Sequence, residues 1–297
     1  VMGGSKFKKE LSAARENIKI SESRFLLKQN YEARKFLNDA FSQLDLIETG
    51  NKDKEKLTAS ALDLKNRLEK IDASVKPETV EPDAIENDSV KSILAGRELF
   101  GLSLDRLWAK NKKAIAYLPE GVIKIVDLQK NKTIELKKKF SFEPVEFKNY
   151  EDNLYFLGSR EIYKISNALE KPGPESNWLK TGEAEKVLGS FIAFDLDSII
   201  YALTDQRKLV IMFKGEIAKM VDLDFETLTE TEIINLDGKE FMIIDKKAKL
   251  ARVISDSGEL KKSFDLSPIS SIQKAFFDKD LRLLYLFSPD KIWKIRL

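Results

Sequence analysis

The sequence predicts a mainly β protein with an α-helical N-terminal part. Two observations predict it. Apolar residues recur with the helical period of 3.6 up to about residue 73, and with the strand period of 2 from Val90 onward. A strand–turn–strand pattern then recurs five times at intervals of 39 to 46 residues. The chain of 297 residues is long enough for two modest domains.

The first 75 residues are predicted to form an antiparallel bundle of three helices. From Ser5 to about Ala73 there is no proline, and the one glycine, Gly50, marks a helix end. Apolar side chains form three stripes at helical spacing, which start at Leu11, Tyr31 and Leu57. Because each stripe needs a partner surface, three short amphipathic helices are expected to pack on one another.

The residues at the second helix, Asn30-Tyr31-Glu32-Ala33-Arg34-Lys35-Phe36-Leu37-Asn38-Asp39-Ala40, resemble the helix–turn–helix junction of tetratricopeptide repeats. The resemblance covers one repeat and lacks the tryptophan and proline of that family. It implies either a structural helical hairpin or a peptide-binding groove, and a single repeat offers little concave surface for the second role.

Residues 76–89 are predicted to be a linker before the third region, 90–297. The segment carries five acids and two prolines, a composition that favours an extended and solvated chain. An acidic docking strand is the alternative interpretation of the same residues.

The β region is a repeat. Residues 154–165 (LYFLGSREIYKI) align without a gap on residues 284–295 (LYLFSPDKIWKI), and five of the twelve positions are identical. Three further copies begin at Ile115, Ile200 and Phe241. Flanking strand patterns add an inner and an outer strand to most copies, and a four-stranded unit of 40 to 50 residues is typical of a β-propeller blade.

The fifth copy lacks a fourth strand because the sequence stops at Leu297. Since a ring of blades must close, we expect Val90–Leu94 to supply that strand. The prediction is therefore a five-bladed β-propeller of four-stranded blades, closed by an N-terminal strand.

Composition excludes several chemistries. The chain has no cysteine and no histidine, which rules out disulfides, thiolate nucleophiles and serine–histidine catalysis. A net charge of +2 from 51 basic and 49 acidic residues gives no large single-sign field, so no nucleic-acid partner is expected. No apolar run is long enough to span a membrane, and no cofactor is expected.

Pairs of carboxylates are the remaining candidates for metal or acid–base chemistry: Asp195/Asp197, Asp222/Asp224/Glu226 and Asp278/Asp280. None has the spacing of a calcium loop, so each is predicted to form a turn at a strand end and no metal site is expected. Four basic residues of the third strands are predicted to be cations in solvated gaps, where their stems cover apolar surface: Lys124, Lys164, Arg252 and Lys294. The lysines around an outer strand are predicted to form a solvated edge that discourages sheet-to-sheet association: Lys130, Lys132, Lys137, Lys138 and Lys139.

Ligands of propellers meet the face formed by the turns between second and third strands and by the connections between blades. The residues expected there, as a partner-binding set, are Arg160, Trp178, Arg207, Lys246 and Asp290. Trp178 is either an exposed anchor for the partner or a side chain packed on its own loop.

The layout of helices, acidic segment and propeller is similar to that of bacterial membrane-anchored sensor and scaffold proteins with NHL or TolB-like propellers. The resemblance implies a non-enzymatic module that binds a protein, peptide or glycan, as the C-terminal part of a larger protein with an upstream membrane helix. The start Val1-Met2-Gly3-Gly4-Ser5 is expected to be a cloning remnant or a cut inside a longer chain. The alternative function is a propeller hydrolase or lyase that uses carboxylates, with or without calcium. Whether the module lies outside or inside the cytoplasm stays open, with an extracytoplasmic position favoured.

Overall fold

A computed structural model describes residues 7–27, 29–72, 74–110, 112–118, 120–137, 140, 142–225, 228 and 230–297, without the side chains of residues 105 and 110. Some residues named in the sequence analysis lie outside the described residues: the first five residues, Lys138, Lys139 and Glu226. None of the helices within these ranges is both long enough and apolar enough to cross a membrane.

The N-terminal part is helical, as predicted. It contains α1 (Lys8–Leu26), α2 (Asn30–Asp45) and α3 (Lys52–Glu69). Small and branched apolar side chains from the three stripes are buried between the helices, among them Ala33, Leu37 and Leu64. The side chain of Asn51 accepts hydrogen bonds from the backbone N–H groups of Asp53 and Lys54, which fixes the start of α3.

In the described part of the chain, twenty strands form five four-stranded antiparallel sheets. In chain order, blade 1 consists of β2 (Leu107–Lys110), β3 (Lys113–Tyr117), β4 (Val122–Asp127) and β5 (Lys132–Lys137). Blade 2 consists of β6 (Glu146–Tyr150), β7 (Asn153–Leu157), β8 (Ile162–Ile165) and β9 (Glu175–Asn177). A short helix, α5 (Glu183–Lys186), precedes blade 3, which consists of β10 (Phe191–Leu196), β11 (Ile200–Thr204), β12 (Lys208–Phe213) and β13 (Glu216–Asp222).

Blade 4 consists of β14 (Thr231–Asn235), β15 (Glu240–Asp245), β16 (Leu250–Ser255) and β17 (Leu260–Asp265). Blade 5 consists of β18 (Lys274–Asp278), β19 (Leu283–Phe287), β20 (Ile292–Arg296) and, as its outer strand, β1 (Glu78–Val80). The first strands of neighbouring blades contact one another around a central channel. The fold is a five-bladed β-propeller, as the repeat predicted.

The prediction that Val90–Leu94 closes the ring is wrong. Those residues lie in a fourth helix, α4 (Asp88–Phe100), and the closing strand is β1, whose Val80 pairs with Ile292. The side chain of Asn87 accepts hydrogen bonds from the N–H groups of Ser89 and Val90 and so starts the helix. The apolar side chains of α4 pack between blade 5 and blade 1.

The segment predicted to be a linker therefore contains β1 and a one-turn 3₁₀ helix, Pro82–Ala84. Its acids lie on the surface around that strand. Pairing with β20 supplies backbone hydrogen bonds to Glu78–Val80, although the sequence of this segment does not predict a strand.

The bundle is joined to blade 4 at the end of α3. The N–H of Asp72 donates to the carbonyl of Ser263 at 2.8 Å, and the N–H of Ser263 donates to the carbonyl of Lys70 at 3.0 Å. Ile71 and Ser263 form an isolated parallel bridge. The chain after α3 thus runs beside β17 and attaches the bundle to the propeller.

Candidate functional site

The central channel holds a buried cluster of ions. Lys148 on β6 is 4% exposed, and its Nζ lies 3.2 Å from Oδ1 of Asp195 on β10 and 3.4 Å from Oε1 of Glu146. Burial lowers the pKa of Lys148, but the carboxylates of Asp195 and Glu146 outweigh burial and raise it above its ordinary value. Lys148 therefore keeps its proton and neutralises two acids from neighbouring blades.

Each channel acid also accepts a hydrogen bond from the backbone of the next blade. The bonds are Phe194 N–H to Glu146 at 3.0 Å, Asn235 N–H to Asp195 at 2.7 Å and Ala275 N–H to Glu232 at 3.0 Å. Three acids thereby connect blade 2 to blade 3, blade 3 to blade 4, and blade 4 to blade 5. The prediction that Asp195 only forms a strand-end turn is wrong, whereas Asp197 and Asp278 do accept turn N–H groups, as predicted.

The remaining channel cations are Lys246 and Lys274. Nζ of Lys246 lies 2.7 Å from Oε1 of Glu232 and donates to the carbonyl of Gln273. Nζ of Lys274 lies 5.2 Å from the ring centre of Trp108, on the first blade. Burial lowers the pKa of Lys274, although the charge of Glu232 acts in the opposite direction.

The channel bears on the alternative function, a carboxylate hydrolase or lyase. Its acids do converge, and each accepts a hydrogen bond from a backbone N–H group. Burial raises the pKa of Glu146, whereas for Glu232 the charges of Lys246 and Lys274 outweigh burial and lower the pKa. Within the described ranges, no group of three or more acidic side chains has an arrangement that could hold a metal ion.

The five residues predicted to bind a partner make different contacts in the structure. Lys246 belongs to the channel cluster. Trp178 is half-buried and packs edge-on against Tyr155 of its own blade, with ring centres 6.4 Å apart. The guanidinium of Arg207 lies 4.2 Å from the ring centre of Tyr31 on α2, so the bundle covers it.

The other two predicted residues remain at the surface. Arg160 is exposed and donates to the carbonyl of Val187 at 2.9 Å. Asp290 is exposed in the turn between β19 and β20 and lines a cleft. Of the five residues, Asp290 is the one that lines this concavity of the described surface.

This concavity, which we call the closing-blade cleft, has a volume of about 620 Å³. It lies between β1 with the turn that follows it, the second half of α4, and the turn from β19 to β20. Val80, Leu94 and Ile292 give it an apolar floor. Its size is that of a ligand-binding pocket rather than of a gap between two side chains.

The walls of the cleft are held in place by hydrogen bonds. Nη2 of Arg97 on α4 donates to the carbonyl of Pro289 at 2.8 Å and so ties the helix to the turn. Within the turn, the N–H of Ser288 donates to the carbonyl of Lys291 and the Ser288 hydroxyl donates to Asp290. Two sides of the cleft are consequently fixed relative to each other.

The rim of the cleft is acidic. Glu81, Glu98 and Asp290 are exposed, and none of them forms an ion pair with another described residue. Of the two cations at the rim, Arg97 is engaged with Pro289, which leaves Lys291. Arg97 and Glu98 were not among the predicted site residues because they precede the repeat. Their helix could have been recognised from the helical spacing of Val90, Ile93 and Leu94 behind the N-capping residue Asn87.

β1 borders the cleft. Among the described residues β1 is the terminal strand of its sheet, so one side of its backbone faces no described strand. In a terminal strand the outward N–H and C=O groups can pair with another chain. Thr79 and Val80 of this strand line the cleft directly.

No protein family matches this sequence, and no curated protein matches it either. Among solved structures, the chain is similar to the WD40 β-propeller domain of Doa1, with 12% identity and a TM-score of 0.46 over 64% of this chain and 62% of that chain. It is similar to BBS1N, crystallised in complex with ARL6DN, with 11% identity and a TM-score of 0.42 over 62% and 60% of the two chains. A third similarity is to BamB from Moraxella catarrhalis, with 11% identity and a TM-score of 0.38 over 65% and 72%. The chain thus spans less than two thirds of the first of these structures, and the assignment of the propeller rests on its own strand pairing.

Proposed function

We propose that this chain is a non-enzymatic protein-binding module, and that the closing-blade cleft takes an extended peptide segment of the partner. The observation that carries the proposal is that Thr79 and Val80, which line the cleft, belong to β1, the terminal strand of its sheet in the described residues. A peptide that lies there can add as a further strand to blade 5. Backbone hydrogen bonds then supply affinity, and side-chain pockets supply selectivity.

The floor and rim define what the peptide carries. Side chains alternate between the two faces of a strand, so every second residue of an added strand faces the same way. Apolar residues in one set fit the floor made by Val80, Leu94 and Ile292. Basic residues in the other set are attracted by Glu81, Glu98 and Asp290. The preferred ligand is therefore an extended peptide that alternates basic and apolar residues.

A fixed bundle is part of the proposed role. In the layout that the sequence resembles, the bundle stands between the propeller and an upstream membrane helix. The contacts of Lys70, Asp72 and Tyr31 with blades 3 and 4 support a bundle that moves with the propeller. Reading the full-length gene product for an apolar span of about 20 residues upstream tests this context.

The test is a binding measurement with defined peptides. The probe is a fluorescein-labelled heptapeptide, Lys-Val-Lys-Ile-Lys-Val-Lys, whose anisotropy is followed as protein is added. We expect the basic peptide to bind roughly tenfold more tightly than the acidic counterpart with Glu in place of Lys, because two to three exposed charge pairs contribute about 1–2 kcal/mol together. N-methylation of alternate backbone nitrogens should abolish binding if strand addition is the mode.

Variants locate the site. Glu81→Lys with Glu98→Lys should weaken the basic peptide roughly tenfold. The matched control is Glu170→Lys with Glu185→Lys, which makes the same charge change at exposed positions outside the cleft. Equal weakening by both pairs, or no difference between basic and acidic peptides, contradicts the assignment. Binding of an oligosaccharide, with no binding of the peptide, would show that the module recognises glycans and would contradict the peptide proposal.

A further inference from the structure

A second cavity lies between the bundle and the propeller, away from the closing-blade cleft. This junction cavity has a volume of about 210 Å³. Arg34 on α2, Lys65 and Glu69 on α3, and Arg252 on β16 line it. Three of these four charged side chains are cations, and Glu69 is the only carboxylate among the described lining residues.

Both oxygens of Glu69 are already used. Oε1 accepts from Nε of Arg34 at 2.8 Å, and Oε2 accepts from Nε of Arg252 at 2.9 Å. Arg34 also donates to the carbonyls of Asp224 and Leu68. The carboxylate therefore has little capacity left for the remaining donors of the two guanidinium groups.

Arg252 is the under-satisfied member. A guanidinium carries five N–H donors, and Arg252, which is 5% exposed, makes one hydrogen bond to the described residues, through Nε. Its Nη1 is buried without a hydrogen-bond acceptor. Oδ2 of Asp245 lies 3.6 Å from Nη1, close enough to offset charge but beyond hydrogen-bond distance. Buried donors without acceptors are costly, and a bound acceptor would remove that cost.

Lys65 completes the set. It is half-buried at the cavity and forms no ion pair with a described residue. Among the described lining residues, Arg34, Lys65 and Arg252 stand against Glu69, an excess of two positive charges. Asp245 does not line the cavity, but its Oδ2 lies 3.6 Å from Nη1 of Arg252 and offsets one of these charges. One singly charged anion would balance the other.

We infer that the junction cavity is a binding site for a small oxyanion, a phosphate or a carboxylate, held by Arg252 and Lys65. The planar guanidinium matches two oxygens of one such group, which a halide does not provide. The volume holds a group of that size together with a few water molecules, each of which needs about 30 Å³. The anion would contact both the bundle and blade 4, so its binding would stabilise their junction.

The experiment uses inorganic phosphate as the probe and sodium chloride at matched ionic strength as the blank. Isothermal titration calorimetry should show one saturable site per chain, and phosphate at ten times its dissociation constant should raise the folded-to-unfolded ratio roughly tenfold. Acetate is the second probe and tests carboxylate binding. If acetate competes with phosphate, the site accepts carboxylates as well; if acetate leaves the affinity for phosphate unchanged, the site is specific for phosphate.

Two variants on one helix decide whether the cavity is the site. Lys65→Gln should weaken phosphate at least fivefold, whereas Lys56→Gln, an exposed position on α3, should leave it unchanged. Arg252→Lys keeps the positive charge but loses the planar guanidinium that can donate to two oxygens, so it should weaken phosphate binding further. Circular dichroism checks that this variant folds. Absence of saturable binding of both anions, which is the result for a water-filled cavity, overturns the inference. Equal effects of Lys65→Gln and Lys56→Gln also overturn it.

Discussion

Glu69 at the end of α3 accepts a 2.9 Å hydrogen bond from Nε of Arg252 in blade 4. The same carboxylate accepts from Arg34 on α2, and all three side chains are nearly inaccessible to solvent. One acid therefore joins two helices of the bundle to the propeller. Together with the backbone bonds around Ser263, it sets the position of the bundle against blade 4.

We predict that Glu69→Gln is strongly destabilising. The substitution removes the negative charge and leaves two buried guanidinium groups facing each other. Breaking a buried ion pair by removing one partner costs about 3–5 kcal/mol. Urea denaturation measures the loss in the free energy of unfolding. Glu259→Gln, which breaks an exposed pair with Lys261, is the control and should cost far less, because solvent screens that pair. Equal losses would mean that the triad does not hold the junction.

The pH dependence of stability gives a second prediction for Glu69. Burial alone raises the pKa of this carboxyl group, but Arg252 and Arg34 together lower it below its ordinary value. A group whose pKa is depressed in the folded state contributes stability above its unfolded pKa, about 4.3, and loses it as the pH falls through the folded pKa. The stability gap between wild type and Glu69→Gln should therefore narrow as the pH falls below about 4. A gap that widens with acid would contradict the lowered pKa.

A third prediction concerns the channel. Asp195→Asn removes a charge partner of buried Lys148 and weakens the bond that Asp195 accepts from Asn235. We expect a loss of about 2–3 kcal/mol in the free energy of unfolding, because a hydrogen bond to a buried charged group contributes about 1.5–3 kcal/mol. Asp222→Asn breaks an exposed pair with Lys208 and should change stability by less than about 1 kcal/mol. Urea titrations of the two variants make the comparison, and similar losses would show that the channel acids do not connect the blades.

Closure of the ring gives a fourth prediction. Thr79 of β1 pairs with Trp293 of β20, and Ser176 of β9 pairs with Lys164 of β8. Thr79 and Ser176 are each the central residue of a three-residue outer strand. Proline disturbs either strand locally. Only β1 closes the ring, so Thr79→Pro should lower the melting temperature by several degrees more than Ser176→Pro. Differential scanning calorimetry measures both. A larger effect at Ser176 would show that β1 contributes little to closure.

The repeat could be predicted because each hairpin carries its own apolar alternation. Residues 154–165 and 284–295, aligned from their sequences, are β7–β8 and β19–β20. The closing strand could not be found in this way. Glu78–Val80 has no alternation of its own, and its hydrogen bonds come from β20, more than 200 residues away in the sequence. Strand propensity is decided by neighbours, and those neighbours are distant.

The surroundings of the basic residues could be predicted only in part, for a related reason. Lys124 and Lys294, predicted to be solvated cations, do form partly exposed pairs with Glu135 and Glu78. Arg252, in the same register on its blade, is buried because the bundle docks on it. Arg207 is covered by Tyr31 in the same way. A repeat pattern assigns equal environments to equivalent positions, and it carries no information about which blade receives the helices.

Hydrogen–deuterium exchange of the chain with and without the Lys-Val-Lys-Ile-Lys-Val-Lys peptide tests the central claim most directly. Strand addition predicts slower exchange of backbone amides in 78–82, with smaller protection at 288–292 and no change in β13, an outer strand that does not line the closing-blade cleft. Protection confined to the turns around the channel, or no protection at a saturating peptide concentration, would contradict binding at the closing-blade cleft.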